Sequence, residues 1–331
     1  MKIISHPYAS NDILPFPIRL FSVGERFLIE WGLPETGDAL TDTPFMKELR
    51  EKNAVAQIGG RSFTPLLALA EFGAEFKALA PALFIFHATR CGSTLLARMI
   101  ESHGANRVFI EPRSVITLLL NLPSSRELEL KSDLIRSLIG AYGLGAPSGQ
   151  KKLVFKFASA CNFHIEALKA AFPDTPCVFL YRDPVEILVS LVTEPATWLY
   201  ENGAEILSHI LPHLKNELKN SSIEHLSCRY LERIFRHMLE QADGSLKLIN
   251  YTELPQAGID LARDFLGCDI QEECRDILGR HSKKPGELFV PDTDRKRRLA
   301  SPMVLELAEN YLIPLYRALE KKRIAALTTF L

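Results

Sequence analysis

The chain reads as an α/β protein, P-loop-like and three-layered, with a central parallel sheet flanked by helices. Three observations predict this. Leu83-Phe84-Ile85-Phe86 is a bulky, β-prone run, and after a turn of small residues Leu95, Leu96, Met99 and Ile100 recur at helical spacing. Short apolar runs return at Arg107–Ile110, Lys152–Phe157 and Cys177–Tyr181, each separated from the next by a helical stretch. That β-α-β-α-β rhythm calls for parallel strands with right-handed crossovers. Finally, several of these runs end in polar residues, at Thr89-Arg90, Glu111-Pro112 and Arg182-Asp183-Pro184, where α/β folds place their ligands.

The bulk properties bound the class. At 331 residues and 47% hydrophobic composition the chain has ample core for one large domain or two. A formal net charge of −1 argues against coating nucleic acid or an anionic membrane. The longest apolar stretches, such as Val115–Leu120, are far too short to span a bilayer. Met1–Pro7 has no apolar run of the signal-peptide type, and the cysteines at positions 91, 161, 177, 228, 268 and 274 lack metal-like pairing. The expectation is a cytoplasmic protein with reduced thiols.

Taken in order, residues 1–80 read as an N-terminal extension that packs on the core or walls a substrate pocket. Ile18–Phe21 and Phe27–Trp31 predict a hairpin, Pro44–Asn53 a short helix, and Phe63–Leu79 an apolar helical stretch. The strand at 83–86 then leads into His87-Ala88-Thr89-Arg90-Cys91-Gly92-Ser93-Thr94. A strand, tight loop and helix converge backbone N–H groups and the positive end of a helix dipole on one anion. Gly92 permits close approach, Ser93 and Thr94 offer hydroxyls, and Arg90 offers a bidentate charge. An ordinary N-cap with a solvated arginine has the same composition. No Gly-Lys-Ser/Thr closes the loop, so it is not a Walker A sequence.

Pro112 suits the first turn of a helix running through Leu122. Glu111 is either a strand-end functional carboxylate or a helix-start carboxylate. Further on, Asn162–Phe172 predicts a helix and Cys177–Tyr181 a buried strand. Asp183, Pro184 and Glu186 make an unusually complete helix start. Arg182 either faces a ligand or pairs with Asp183 or Glu186, and Ser190 lies two turns into that helix. The chain then becomes mainly helical, at Glu201–Asn220 and Ser222–Ala242. A strand at Leu246–Asn250 ends in Tyr251-Thr252-Glu253, and helices follow at Leu254–Leu266, at Gln271–Arg280 and from Ser301-Pro302 to about Ile324. His281–Gly286 and Asp294–Arg298 are basic loops, the second readable as a solvated charge run.

Together the two anion-facing segments resemble the sulfotransferases that use 3′-phosphoadenosine 5′-phosphosulfate (PAPS). That family's P-[KR]-[SA]-G-[ST]-[ST]-L-L loop, which holds the 5′-phosphosulfate, is matched by Thr89–Leu96. Its R-[DN]-P segment, with a Ser eight residues after the Arg, binds the 3′-phosphate and is matched by Arg182-Asp183-Pro184 and Ser190. The resemblance covers roughly 81–192 well and 247–254 loosely, and outside these stretches it fades.

It implies a sulfotransferase domain over 81–331 with a helical insertion at about 194–242. Thr89, Arg90, Cys91, Gly92, Ser93, Thr94, Arg182 and Ser190 would bind the donor, with Tyr251 near the adenine. Lys283 and Lys284 of the basic loop join that set. Arg90 stands where cytosolic members carry Lys, as in the bacterial, Golgi and tyrosylprotein-type branches. Leu95 replaces their adenine-stacking Trp. Lys156 matches the Lys of their K-T-H segment, but Ala158 occupies the His position. Glu111 is then the expected base, with His87 and His164 as rivals, and Lys156 a second cation beside Arg90.

The activity implied is sulfuryl transfer from PAPS, without a metal, to a hydroxyl in preference to an amine of a small molecule. Relatives of this type act in secondary metabolism or on lipids and glycans. A homodimer is compatible with the sequence. The competing readings are a nucleotide-dependent kinase, which wants a Walker lysine and a Mg²⁺-holding Asp, and a nucleotide-binding protein without catalysis.

Overall fold

A computed structural model describes residues 2–3, 16–23, 26–32, 62–66, 79–122, 128–143, 152–195, 221–279 and 293–328. Its centre is a sheet of five parallel strands in the order β6-β7-β5-β8-β9, flanked by helices. These strands are β5 (Pro81–His87), β6 (Asn106–Ile110), β7 (Lys152–Lys156), β8 (Cys177–Tyr181) and β9 (Leu246–Asn250). In the middle of β5, Leu83, Phe84, Ile85 and Phe86 are wholly buried. A strand covered on both faces reads as a continuous apolar run rather than an alternating one, as β5 does.

The chain divides into two compact units. The first comprises Met1–Phe86, Thr94–Cys177 and Pro255–Leu288. Here β6 pairs with β7 and β7 with β5, both in parallel, with Ile110 and Ile85 each opposite Lys156. Phe84, Phe155 and Phe157 interlock with Phe109 and Tyr142 at centroid separations of 4.6–5.9 Å. Such pairs add about 0.5–1.5 kcal/mol each beyond area burial.

This unit also holds a smaller sheet ordered β1-β4-β3-β2, from β1 (Lys2–Ile3), β2 (Phe16–Val23), β3 (Arg26–Gly32) and β4 (Ser62–Pro65). The expected hairpin is β2 with β3, antiparallel from Phe16↔Gly32 to Val23↔Arg26. The stretch expected to be helical from Phe63 instead begins as strand β4, because Ser62–Pro65 completes the antiparallel ladder of β3. The Tyr142 hydroxyl donates to the Pro17 carbonyl at 3.0 Å and bonds Ser114 Oγ at 2.6 Å, so a buried phenol finds its partners.

Helix α1 (Ser93–Glu101) follows β5, α2 (Arg113–Leu120) follows β6, and α3 (Leu128–Gly143) precedes β7. Pro112 is the N-cap of α2 rather than a residue of its first turn. The helix expected over Asn162–Phe172 splits into a 3₁₀ turn at Ser159–His164 and α4 (Ile165–Ala171).

The second unit comprises His87–Ser93, Val178–Leu254 and Phe289–Leu331. It contains α5 (Pro184–Thr193), α6 (Ile223–Glu240) and β9. Helices α7 (Gln256–Leu261) and α8 (Arg275–Leu278) belong to the first unit, and α8 is much shorter than the helix expected over Gln271–Arg280. The second unit closes with α9 (Thr293–Leu299), α10 (Pro302–Leu307), a π-turn at Ala308–Leu312 and α11 (Ile313–Thr328).

Asp183 caps α5 as its sequence predicts, accepting from the N–H groups of Val185 at 2.9 Å and Glu186 at 3.3 Å, with Pro184 first in the helix. Ser301 caps α10 in the same way. The run Asp294–Arg298 is helical, as part of α9, and its Arg297 pairs with Asp183 at 3.0 Å. The helices expected at Pro44–Asn53 and Glu201–Asn220, together with Lys283 and Lys284, lie outside the described residues.

Candidate functional site

The loop after β5 is built by backbone strain. Thr89 and Arg90 have φ of 53° and 45°, and Gly92 has 88°. The left-handed region is costly for residues with a Cβ, at about 1–3 kcal/mol each, so the surroundings must impose it. Two fixtures do so. His87 Nδ1 accepts the Thr89 N–H at 3.0 Å. The Leu180 carbonyl of β8 accepts the Ala88 N–H at 3.0 Å and the Cys91 thiol at 3.2 Å. The chain thereby makes a tight, partly left-handed turn from the end of β5 into the start of α1. Ser93 and Thr94, both buried, open α1 directly behind it.

Gly92 is required twice over. Its φ suits glycine, and a Cβ there would lie 2.6 Å from ring atoms Cδ2 and Cε2 of Tyr251. Tyr251 therefore covers the loop. The Arg182 guanidinium lies over the other part of this arrangement, 4.1 Å from the Tyr251 ring centroid. Arg182 is buried and its Nε donates to Glu186 Oε2 at 2.5 Å, one of the two carboxylate partners its sequence context allows. Ser190 is half-buried on α5. Arg90 reaches the end of the same helix, donating to the Glu194 carbonyl, with its Nη1 3.6 Å from the Glu194 carboxylate.

The first unit holds a different pairing. Glu111 follows β6 with φ 52°, which makes Thr89, Arg90 and Glu111 the positive-φ non-glycine residues among those described. All three follow the C-terminal end of a sheet strand, and no single-sequence signal marks them, since none is Gly or Asn. Lys156, the last residue of β7, is wholly buried, and its ammonium donates to Glu111 Oε1. The Glu111 N–H donates to the Lys156 carbonyl at 2.7 Å, so both backbone and side chain are tied to one residue. Lys156 thus serves Glu111, a pairing that neither residue's sequence context announced.

Of the rival bases, His87 uses Nδ1 to hold the loop, and His164 is half-buried at the end of the 3₁₀ turn. The cysteines at 91, 161, 177, 228, 268 and 274 are all free thiols. Burial pushes the Cys161 and Cys228 thiols up to about 12 and Cys177 to about 11, which leaves them poor nucleophiles. Among the described residues no group of three or more His, Cys, Asp and Glu is placed to hold a metal, and no helix is long and apolar enough to cross a membrane.

No protein-family model and no curated protein matches the chain. Solved structures do. The sulfotransferase domain from the curacin biosynthetic pathway matches at a TM-score of 0.41 and 14% identity, over 71% of this chain and 98% of that one. The chain is similar to sulfotransferases. A second, from Alicyclobacillus acidocaldarius, matches at 0.38 and 18% identity, over 74% of this chain and 96% of that one. A third, from Mycobacterium avium, matches at 0.37 and 12% identity, over 75% of this chain and 83% of that one.

Proposed function

We propose that the protein transfers a sulfuryl group from PAPS to a hydroxyl, in preference to an amine, of a small-molecule acceptor. The observation that carries this reading is the loop Thr89–Gly92. It is a strained turn at a helix start, carries an arginine and no Walker lysine, and is covered by an aromatic ring stacked on a second arginine. A helix-start loop with its own arginine, beside an arginine–aromatic platform, fits a nucleotide with phosphates at both ends of its ribose.

PAPS supplies an activated sulfuryl group whose departure leaves charge on the 5′-phosphate. The chain's own residues meet that chemistry with fixed donors. The amides of Arg90, Cys91 and Gly92 and the Arg90 guanidinium stabilise the leaving phosphate, an electrostatic contribution that needs no reorganisation. Arg182 and Ser190 recognise the 3′-phosphate, and Tyr251 lies against the nucleoside. Glu111 takes the proton of the acceptor hydroxyl, held in a strained conformation by buried Lys156. The transferase domain of this reading begins near residue 81. The reaction needs no metal, because the donor has no β,γ-phosphates to bridge.

The test is to incubate the protein with sulfur-labelled PAPS and a small-molecule extract, then search for metabolites that gain one sulfate. Label in a discrete product, absent with Arg90→Ala, is the expected result. Consumption of PAPS only by hydrolysis, or transfer that survives Arg90→Ala unchanged, would refute the reading.

A further inference from the structure

Arg182 and Tyr251 leave the sheet from neighbouring strands in the order of the sheet, and each is preceded by the last residue of its strand, Tyr181 in β8 and Asn250 in β9. Both of those residues are held by one carboxylate. The Tyr181 hydroxyl donates to Glu320 Oε1 of α11, and Asn250 Nδ2 donates to the same oxygen at 3.1 Å. Arg323, one turn on, grips that carboxylate with a fork, Nε to Oε1 at 3.0 Å and Nη2 to Oε2 at 2.9 Å. Its remaining nitrogen, Nη1, meets Glu253 Oε1 at 2.8 Å.

The turn that carries Tyr251 is closed by the same set. Glu253 Oε2 accepts the Asn250 N–H at 2.7 Å, and Asn250 Oδ1 accepts the Thr252 N–H at 3.0 Å, a complete capping box. Tyr316, a turn before Glu320 on the same helix, takes a further Asn250 Nδ2 proton at 2.8 Å. Burial pushes the Glu320 carboxyl up, but hydrogen bonds from Arg323, Tyr181 and Asn250 outweigh it and hold the group below the ordinary carboxylate range. The carboxylate is therefore the form that this network is built around.

We propose that Glu320 and Arg323 are positioning residues for the nucleotide platform: they set the spacing of Arg182 and Tyr251 by clamping the residue that precedes each. This inference rests on the donor-binding reading given above. A clamp that fixes two strand ends at once controls how the guanidinium stacks on the ring, and misplacing supports of this kind loosens a site that is otherwise intact.

The experiment is a double-mutant cycle read by calorimetric titration with 3′-phosphoadenosine 5′-phosphate, together with amide hydrogen exchange on the nucleotide-free protein. Glu320→Gln is expected to weaken the nucleotide about tenfold in the wild-type background, and less than about twofold when Tyr251→Ala is already present. In exchange, the Thr252 and Leu254 amides lose protection in Glu320→Gln while those of β7 keep theirs. Arg323→Lys, which keeps the charge and loses the fork, is the milder variant should Glu320→Gln fold poorly, and the same pattern at smaller amplitude is expected. Additive losses, or unchanged exchange at Thr252, would overturn the clamp. Absence of nucleotide binding to the wild type would overturn the donor reading instead, and the exchange result would still decide the clamp.

Discussion

Two cation–carboxylate pairs stand at the ends of sheet strands, and they are built in opposite senses. In the first unit the cation is hidden and the carboxylate looks out: the Lys156 side chain is 1% exposed and that of Glu111 28%. In the second unit both partners are hidden, at 6% for Arg182 and 5% for Glu186, and an aromatic ring lies on the guanidinium. A buried ion costs several kcal/mol to desolvate, roughly, and each arrangement spends that cost differently. Lys156 anchors a carboxylate that stays partly exposed, which suits the base role proposed above. Glu186 holds a buried guanidinium in place against the Tyr251 ring, which suits the recognition role proposed above.

The largest effect expected from this contrast is on turnover at the first pair. Glu111→Gln keeps the shape and leaves nucleotide affinity nearly intact, while turnover falls by about two to four orders of magnitude, measured under saturating PAPS. Turnover within a few-fold of wild type, with His87→Ala or His164→Ala inactive, would move the base elsewhere.

At the second pair the effect falls on affinity. Arg182→Ala is expected to weaken 3′-phosphoadenosine 5′-phosphate by about 1.5–3 kcal/mol and adenosine 5′-phosphate much less, by titration calorimetry. Equal weakening of both nucleotides would contradict a role in reading the 3′-phosphate.

Stability separates the partners of the first pair. Glu111→Leu strands a wholly buried ammonium and is expected to cost towards about 3–5 kcal/mol in urea unfolding. Lys156→Met leaves a carboxylate that water can reach and is expected to cost less. The reverse order would mean that the pair is not built as described.

The smallest effect is in acid. Because the folded Glu320 carboxyl is held below its ordinary range, the folded state binds fewer protons there than the unfolded chain. Its contribution is present in full above the ordinary carboxylate range and fades as pH falls through the lower folded value. The stability gap between wild type and Glu320→Gln should therefore be widest near neutrality and close in acid, a trend that urea midpoints across pH would show or refute.

What the sequence made legible follows from the range of each interaction. The strand-loop-helix at 83–100, the hairpin of β2 and β3 and the Asp183-Pro184 helix start are local, fixed by residues a few positions apart, and all are present. The end of a local pattern was harder to read: Phe63–Pro65 joined a ladder with β3, and Gln271–Arg280 kept only one turn of regular helix.

In the candidate site, the residue types were visible but their partners were not. Glu111 meets Lys156 forty-five positions later, and Gly92 meets Tyr251 across a still longer span. The left-handed turns at Thr89, Arg90 and Glu111 fall on residues that do not favour them, so only tertiary contacts could reveal them. The Glu320–Arg323 clamp lies in a C-terminal helix that carries no motif.

The most direct test of the central claim is the binding of labelled PAPS, set against competition by 3′-phosphoadenosine 5′-phosphate and by ATP with Mg²⁺. Saturable PAPS binding that the bisphosphate displaces and ATP does not, and that Arg182→Ala weakens, is the expected result. Displacement by ATP as readily as by the bisphosphate, or no PAPS binding at all, would contradict that claim.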